Sequence, residues 1–433
     1  MRVKNNRILQ SIIWIIIFRI VVWHSIQAQT DYEDFGIKQY PFINYSENIF
    51  AFPGDSQAFE KLFIKYDTLI LKGKGQLKIV HIGGSHIQAD IYTNRIRQRF
   101  QTFQSGHLGS RGFVFPYTVA HTNNPWNYKV SYSGSWESYR NVEHNDGHVL
   151  GLSGMSVTTY DTAATLHIDI DGRTALPYDF NKIKIFCPDD SFSFSLVVDT
   201  PGIVKQISVN DSLGYQLIEL ENHTSRLNLR WEKHDSLQRY FTLYGISLEN
   251  DDPGVYYDAI GVNGAMLTSY LRCQLLPNHL EAIDPDLMII SIGTNDAYTR
   301  RFDEAIYKSH YEALLTIIRK AIPNAAVLLT VPNDSYLYRR YPNKNTVKMK
   351  NVIFELARKW NCGVWDFYSV MGGFNSSATW YAAGLMRPDK VHFNEPGYHI
   401  KGDLLYMAFL QAYDNHIDRE NLLKQIKSLR VNF

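Results

Sequence analysis

Five residues in four separated places are of the types that together activate a hydroxyl against a carbonyl. Ser85 closes the turn "HIGGSH", with two glycines before it and the helix-like stretch "IYTNRIRQRF" a few residues after it. Glycine permits a tight bend, and the N–H groups at the start of a helix favour negative charge on the hydroxyl. A serine hydroxyl is still a weak nucleophile at neutral pH and needs a base within hydrogen-bond reach. His392 is of the right type, and Asp389, three residues earlier, is placed to hold the Nδ1 proton so that Nε2 is free to take the proton of Ser85. The oxyanion formed by attack needs donors of its own. Those expected are the side-chain amide of Asn295 in "IGTNDAY", the backbone N–H of Gly264 in "GVNGA" and the N–H of Ser85 itself. The chemistry these types serve is acyl transfer through a covalent acyl-serine.

Each of these places follows a run that has the texture of a buried strand: "LKIVHI" before Ser85, "YYDAIGV" before Gly264 and "DLMIISI" before Asn295. Strands alternate with amphipathic stretches such as "FDEAIYKSHYEALLTIIRKAI" and "TVKMKNVIFELARKW", joined by "AAVLLTVP" and "CGVWDFY". Strand, helix, strand in succession implies a parallel sheet covered on both faces, with reactive side chains at the carboxyl ends of the strands. The helix after Ser85 is expected to bury Ile96, Phe100 and Phe103 on one face. Between about Tyr128 and Glu249 the texture changes to short period-two runs, among them "TLHIDIDG", "KIKIFC" and "RLNLRW", broken by Gly, Pro, Asn and Asp. That pattern predicts an antiparallel β-sandwich set into the α/β domain.

The blocks "GGSH", "GVNGA", "IGTNDAY" and "DKVHFNEPGYHIKG", in this order, resemble the four blocks of the SGNH (GDSL-type) hydrolase superfamily. The resemblance implies a flavodoxin-like three-layer α/β/α fold, with catalytic Ser85, Asp389 and His392 and an oxyanion hole of Ser85, Gly264 and Asn295. It covers about residues 76–117 and 250–415. The wide gap between Ser85 and Asn295 accommodates an insertion at 118–249. In layout the chain is most similar to peptidoglycan O-acetylesterases and the related O-acetyltransferases. One departure is Gly84, where the superfamily usually carries Asp; this questions the bracing of the turn more than the identity of the nucleophile. The resulting expectation is an exported serine esterase that removes acyl groups, most simply acetyl, from a carbohydrate polymer, without a cofactor. The alternatives are an O-acetyltransferase using the same acyl-enzyme and a glycan-binding protein whose α/β domain has been disabled at Gly84. Peptidoglycan ranks first among substrates, other acetylated polysaccharides next and a lipid ester last.

Composition agrees with that class. Lys and Arg number 44 against 43 Asp and Glu, so no general basic field points to nucleic acid. The first residues, "MRVKNNRILQSIIWIIIFRIVVWHSIQAQT", carry early positive charge, an apolar run and small residues near Ala28. They are expected to form a signal peptide over 1–28 directing the protein to the periplasm or cell surface, since Arg19 cuts the run below the roughly 20 residues of a stable membrane span. Residues 29–75 are then an N-terminal segment and 416–433 a C-terminal helix. Cys187, Cys273 and Cys362 have no metal-knuckle spacing. His81, His86 and Asp90 are close in sequence, but strand alternation points them apart, so no metal site is expected. His86 and Arg387 are weaker candidates for substrate contact. Trp126 and Trp136, with Trp231, are candidates for flat sugar platforms, or else for core. Taken singly, Ser85 could be a helix N-cap, Asn295 and Gly264 turn residues, and Asp389 with His392 a loop ion pair. Four blocks in order, each at a strand end or near the chain's end, favour the chemical account.

Overall fold

The computed structural model describes residues 35–103, 108–143 and 147–431. The expected signal peptide, 1–28, lies outside them. Residues 35–43 belong to a small separate unit, in which the Ile43 N–H donates to the Tyr40 carbonyl at 3.1 Å and the Tyr40 and Phe42 rings lie 5.3 Å apart. The other unit, Asn44–Phe433, contains both the α/β domain and the inserted β block.

The α/β domain is built on six strands: β1 (Phe50–Ala51), β2 (Gln76–Gly83), β3 (Gly254–Gly261), β4 (Leu287–Ser291), β5 (Ala326–Thr330) and β6 (Gly363–Trp365). Their spatial order is β1-β6-β5-β4-β2-β3, parallel throughout except for β1, which pairs antiparallel with β6 at one edge. Strands such as "LMIIS" and "AVLLT" are buried on both faces, which is why they are almost continuously aliphatic. From Asn44 onward the N-terminal segment is part of this domain. It supplies edge strand β1 and helix α1 (Gln57–Lys72), whose Phe59, Leu62, Phe63, Tyr66 and Leu69 recur at helical spacing and are buried. Gly73, at φ +60°, then ends α1 in the left-handed conformation.

Ser85 opens α2 (Ser85–Gln88), and α3 (Tyr92–Thr102) follows. Ile96 and Phe100 are buried on α3, whereas Phe103 lies just past its end and is 45% exposed, because the buried stripe stops where the helix does. Helices α4 (Glu304–Ala321) and α5 (Asn345–Trp360) pack together, and α5 lies against β5 and β6. The last helix, α6, runs unbroken over Glu395–Val431, so the segment predicted as a separate helix from 416 is only its distal end. Phe409 on α6 packs edge-on against Phe63, Tyr66 and Phe100, tying the last helix to α1 and α3.

Among the described residues the strands of the inserted block pair antiparallel, in sheets of five, four and three strands. Its largest sheet includes Gly112–Val114, paired with Gly245–Glu249, so the block begins before the expected boundary at 118. Three residues are too few to show an alternation. In the four-stranded sheet Leu166, Ile168, Leu227 and Leu229 point inward, and Trp231 is buried with them at 2% exposure, which makes it core and no platform.

Two buried acids join the block to the α/β domain. Asp90, in a positive-φ turn (φ 45°) between α2 and α3, accepts hydrogen bonds from Arg97, Arg111 and Asn127 at 2.7 to 3.2 Å. Asp258 on β3 accepts from the Phe113 N–H at 2.7 Å, and burial pushes its carboxyl up to about 6. The folded state thus holds the Asp258 proton more tightly than the unfolded chain does. Its contribution to stability is complete below the unfolded value of 3.8 and is lost as pH rises through about 6. Asp258→Asn keeps an oxygen acceptor for Phe113 and removes the buried charge, so its melting temperature at pH 7.5 is expected to exceed that of wild type. The stabilisation should be on the order of 2 kcal/mol and should vanish near pH 4. A variant equally destabilised at both pH values would contradict this account.

Candidate active site

Strand β2 leads directly to Ser85. At Gly83 an added Cβ would come within 2.4 Å of the Ile87 side chain and 2.7 Å of the Ser291 carbonyl, so the chain can bend there only as glycine. Gly84 differs: its φ of −92° suits any residue, and an added Cβ would meet Asn295 Nδ2 at 3.3 Å. A side chain at 84 would therefore face the amide of Asn295. The helix expected after Ser85 proves to be one turn, and the N–H groups of Ile87 and Gln88 are spent on the Gly84 carbonyl. A single turn adds little macrodipole, so charge stabilisation falls to other groups.

Ser85 Oγ lies 2.8 Å from His392 Nε2, and His392 Nδ1 lies 2.9 Å from Asp389 Oδ2. The other Asp389 oxygen accepts the Val391 and His392 N–H groups at 2.9 and 3.0 Å. Burial by itself would raise the Asp389 carboxyl, but the bonds from the His392 ring and these amides hold it well below the usual carboxylate range. It is thus an anion throughout the working range, fixed to accept the Nδ1 proton and leave Nε2 to the serine. Lys390 at φ +52° allows the tight loop, and a bond from the Arg387 N–H to the His392 carbonyl at 2.8 Å closes it.

Asn295 and Gly264 come from the neighbouring strand ends. Asn295 Nδ2 donates to the Ala265 carbonyl at 2.9 Å, so one of its protons holds the Gly264 loop while the other is available to a ligand. The Val262 N–H donates to the Gly83 carbonyl at 3.1 Å, which sets that loop beside the nucleophile turn. Gly264 has φ +84° with almost no side-chain neighbours, so nothing crowds its amide.

Gln88, which sequence reasoning missed, braces this arrangement. It is buried, with Oε1 accepting the Asn263 N–H at 2.7 Å and Nε2 donating to Thr122 Oγ1 at 3.0 Å and the Asn123 carbonyl at 2.9 Å. Asn263 Nδ2 in turn donates to Asn123 Oδ1 at 2.6 Å. One amide thus connects the helix of Ser85, the loop of Gly264 and the segment entering the β block. Asp296, beside Asn295, is a second brace: Oδ1 accepts the Leu267 N–H at 3.2 Å and burial pushes the carboxyl up to about 6.

The weaker candidates separate. His86 is buried rather than facing a substrate, because its Nδ1 bonds to Tyr398 at 2.9 Å and its ring packs 5.1 Å from that of His392. Burial and the nearby Lys401 hold His86 well below the usual histidine range, so it stays neutral. Arg387 is exposed beside the Asp389–His392 loop. Trp126 is 49% exposed, a few residues from the Gln88 contacts. Trp136 instead donates to the Ser133 carbonyl and packs edge-on to Trp231 at 5.1 Å, so its place is the margin of the β core. His81 bonds Tyr257 and Ser291, and Asp90 its arginines, which leaves His81, His86 and Asp90 with different partners. Among the described residues, Asp179, His223 and Asp252 have ligand atoms close enough to share a cation, and two of the three are exposed. The His223–Asp179 ion pair at 3.1 Å already accounts for two of them.

Residues 230–400 match the GDSL-like lipase/acylhydrolase family, a span that includes Gly264, Asn295, Asp389 and His392. The fold is similar to that of a peptidoglycan O-acetylesterase, with a TM-score of 0.70 at 21% identity over 84% of this chain and 99% of that one. The α/β domain has the fold of the SGNH hydrolases, and the sequence match to the acylhydrolase family lies in its second part. Its serine lies outside the matched span because the β block separates it from the rest of the SGNH domain, and β2 returns it to the site. An acetylxylan esterase from Geobacillus stearothermophilus is similar over 36% of this chain and 73% of its own, at 21% identity and a TM-score of 0.30. No match is found among curated proteins.

Proposed function

We propose that the protein is a serine esterase that removes O-acetyl groups from a carbohydrate polymer outside the cytoplasm, with peptidoglycan ranked first. The observation that carries this reading is the continuous hydrogen-bond chain from Ser85 through His392 to Asp389. Ser85 Oγ attacks the ester carbonyl while His392 Nε2 takes its proton, and the negative oxygen meets Asn295 and the Gly264 N–H. His392 returns the proton to the departing sugar oxygen, then draws one from water as it attacks the acetyl-serine and passes it to Ser85 Oγ as acetate leaves. An assembled triad supports this over the binding-only alternative, and the SGNH fold with its acetylesterase neighbour supports the reaction class. Export is part of the proposal and rests on the first 28 residues; among the described residues no helix is long and apolar enough to cross a membrane.

The test is acetate release from a panel of O-acetylated glycans and a small chromogenic acetate, together with labelling of Ser85 by an organophosphonate. Cleavage with a single label on Ser85 is expected. No acetate from any substrate, with Ser85 unlabelled, would defeat the proposal.

Gln88 gives a finer check. Gln88→Ala releases the Asn263 N–H and with it the Gly264 loop, so kcat should fall about 10- to 100-fold with little change in KM. The loss of stability should stay within about 1–3 kcal/mol. Equal rates in Gln88→Ala and wild type would show that the loop holds itself.

A further inference from the structure

Three segments at the carboxyl ends of the strands form a wall beside the triad that the acetylesterase reading does not use. A hairpin, Tyr336–Leu337 paired with Tyr341–Pro342, carries Tyr338 and Arg339 at its tip with φ of +51° and +62°. Two successive side-chain-bearing residues in the left-handed region are costly and need outside support. The support comes from both halves of the site. The Tyr338 N–H donates to Tyr298 Oη at 2.8 Å, and Tyr298 stands three residues beyond Asn295. The Tyr336 N–H donates to the Lys390 carbonyl at 3.2 Å, inside the loop of Asp389 and His392. Asn343 Nδ2, at the base of the hairpin, donates to the Ala297 carbonyl at 3.1 Å.

The charges of this wall are sorted by direction. Asp296 accepts from the Leu267 N–H, Asp303 from the start of α4, Asp334 from the Ser377 N–H and Asp389 from His392, while the more exposed Glu304 and Glu395 lie 3.5 Å from Lys348 and 3.9 Å from His399. Among the described residues none of Arg300, Arg301, Arg339, Arg340, Arg387 and Lys390 has a carboxylate within 4.0 Å. In a chain of net charge +1, this is a local excess on one face. Rings are interleaved with it: Arg300 lies 5.3 Å from the exposed Tyr338 ring, and Lys390 lies 4.2 Å from the buried Tyr336 and 5.6 Å from the exposed Tyr381. Tyr298, Tyr338 and Tyr381 keep 37%, 46% and 42% of their surface open.

We propose that this wall is a subsite for a carboxylate-bearing polysaccharide, which presents its O-acetyl ester to Ser85 while neighbouring units lie along the rings and cations. Tyrosine faces accept the apolar faces of sugars, and unpaired guanidinium groups accept carboxylates in two-point contacts. Phosphate polyanions share the charge but lack the acetylated sugar units, so they form the rival arm of the test. The proposal deepens the esterase reading and depends on it.

Rates are compared on chemically acetylated polygalacturonate, on acetylated xylan without acidic substituents and of equal acetyl content, and on a small acetate ester. Wild type should favour the anionic polymer about tenfold or more in kcat/KM, and the advantage should shrink as salt rises. The anionic-to-neutral ratio should fall at least about tenfold, mainly through KM, in the double variant Arg339→Glu/Arg340→Glu. It should fall in the same direction in Arg300→Glu, which leaves the hairpin sequence intact. Unacetylated polygalacturonate should inhibit more strongly than single-stranded DNA of equal charge. A wild-type ratio near one, a ratio unmoved in both variants, or equal inhibition by DNA would overturn the subsite. Failure of wild type to cleave the small ester would instead count against the esterase reading itself.

Discussion

Ser85→Ala is expected to lower kcat on a chromogenic acetate ester by about 10⁴- to 10⁶-fold. The substitution removes one oxygen, the group aligned at 2.8 Å on His392 Nε2, and leaves the turn's backbone in place. Ser85 is only partly buried, so thermal unfolding should move by no more than about 0.5 kcal/mol. His392→Ala should cost a similar factor, and the double variant little more than either alone, because the two act as one unit. Burst kinetics on wild type with single-turnover measurements on the variants would check this. A residual rate within about tenfold of wild type in Ser85→Ala would mean that another nucleophile does the work.

Asp90→Ala is expected to cost about 3–5 kcal/mol of stability, measured by urea unfolding. The carboxylate sits between Arg97 and Arg111, whose side chains are 0% and 2% exposed, so its removal strands two guanidinium groups in the core. Burial alone would raise Asp90, yet the two arginines bring it below its ordinary value, which marks the charged form as the one the fold requires. Asp90→Asn keeps an acceptor and should cost less. Loss under about 1 kcal/mol in the alanine variant would mean that water or a neighbouring acid reaches these arginines.

Much of this architecture was legible because burial on both faces forces long aliphatic runs, as in "DLMIISIG" and "AAVLLTVP", and burial on one face forces alternation, as in "RLNLRW". The bends of the site were legible too, since Gly83 and Gly264 occupy backbone positions that other residues fit poorly. What escaped has no period. Strand β1 is two residues long, and Gly112–Val114 is three, below the length at which any pattern shows. Gln88 and Asp90 are buried polar groups whose roles are set by partners remote in the chain, such as Asn263 and Arg111, and nothing local announces them. His86 looked like a pocket residue because it follows the serine, but one turn of helix directs it under the His392 ring instead. The tip at Tyr338 and Arg339 gave no warning either, as neither residue type favours the left-handed region.

Strands β2 and β3 lie side by side over eight residue pairs, yet the chain passes through the whole β block between Gln76 and Gly254. Closing so long an excursion early carries an entropic cost, which falls if the block has first collapsed and drawn its two ends together. The hydroxyl is also made long before its imidazole on the ribosome. A nascent chain that has not yet reached residue 392 therefore carries the Ser85 hydroxyl without its partner, and the pair can form only once His392 has been made.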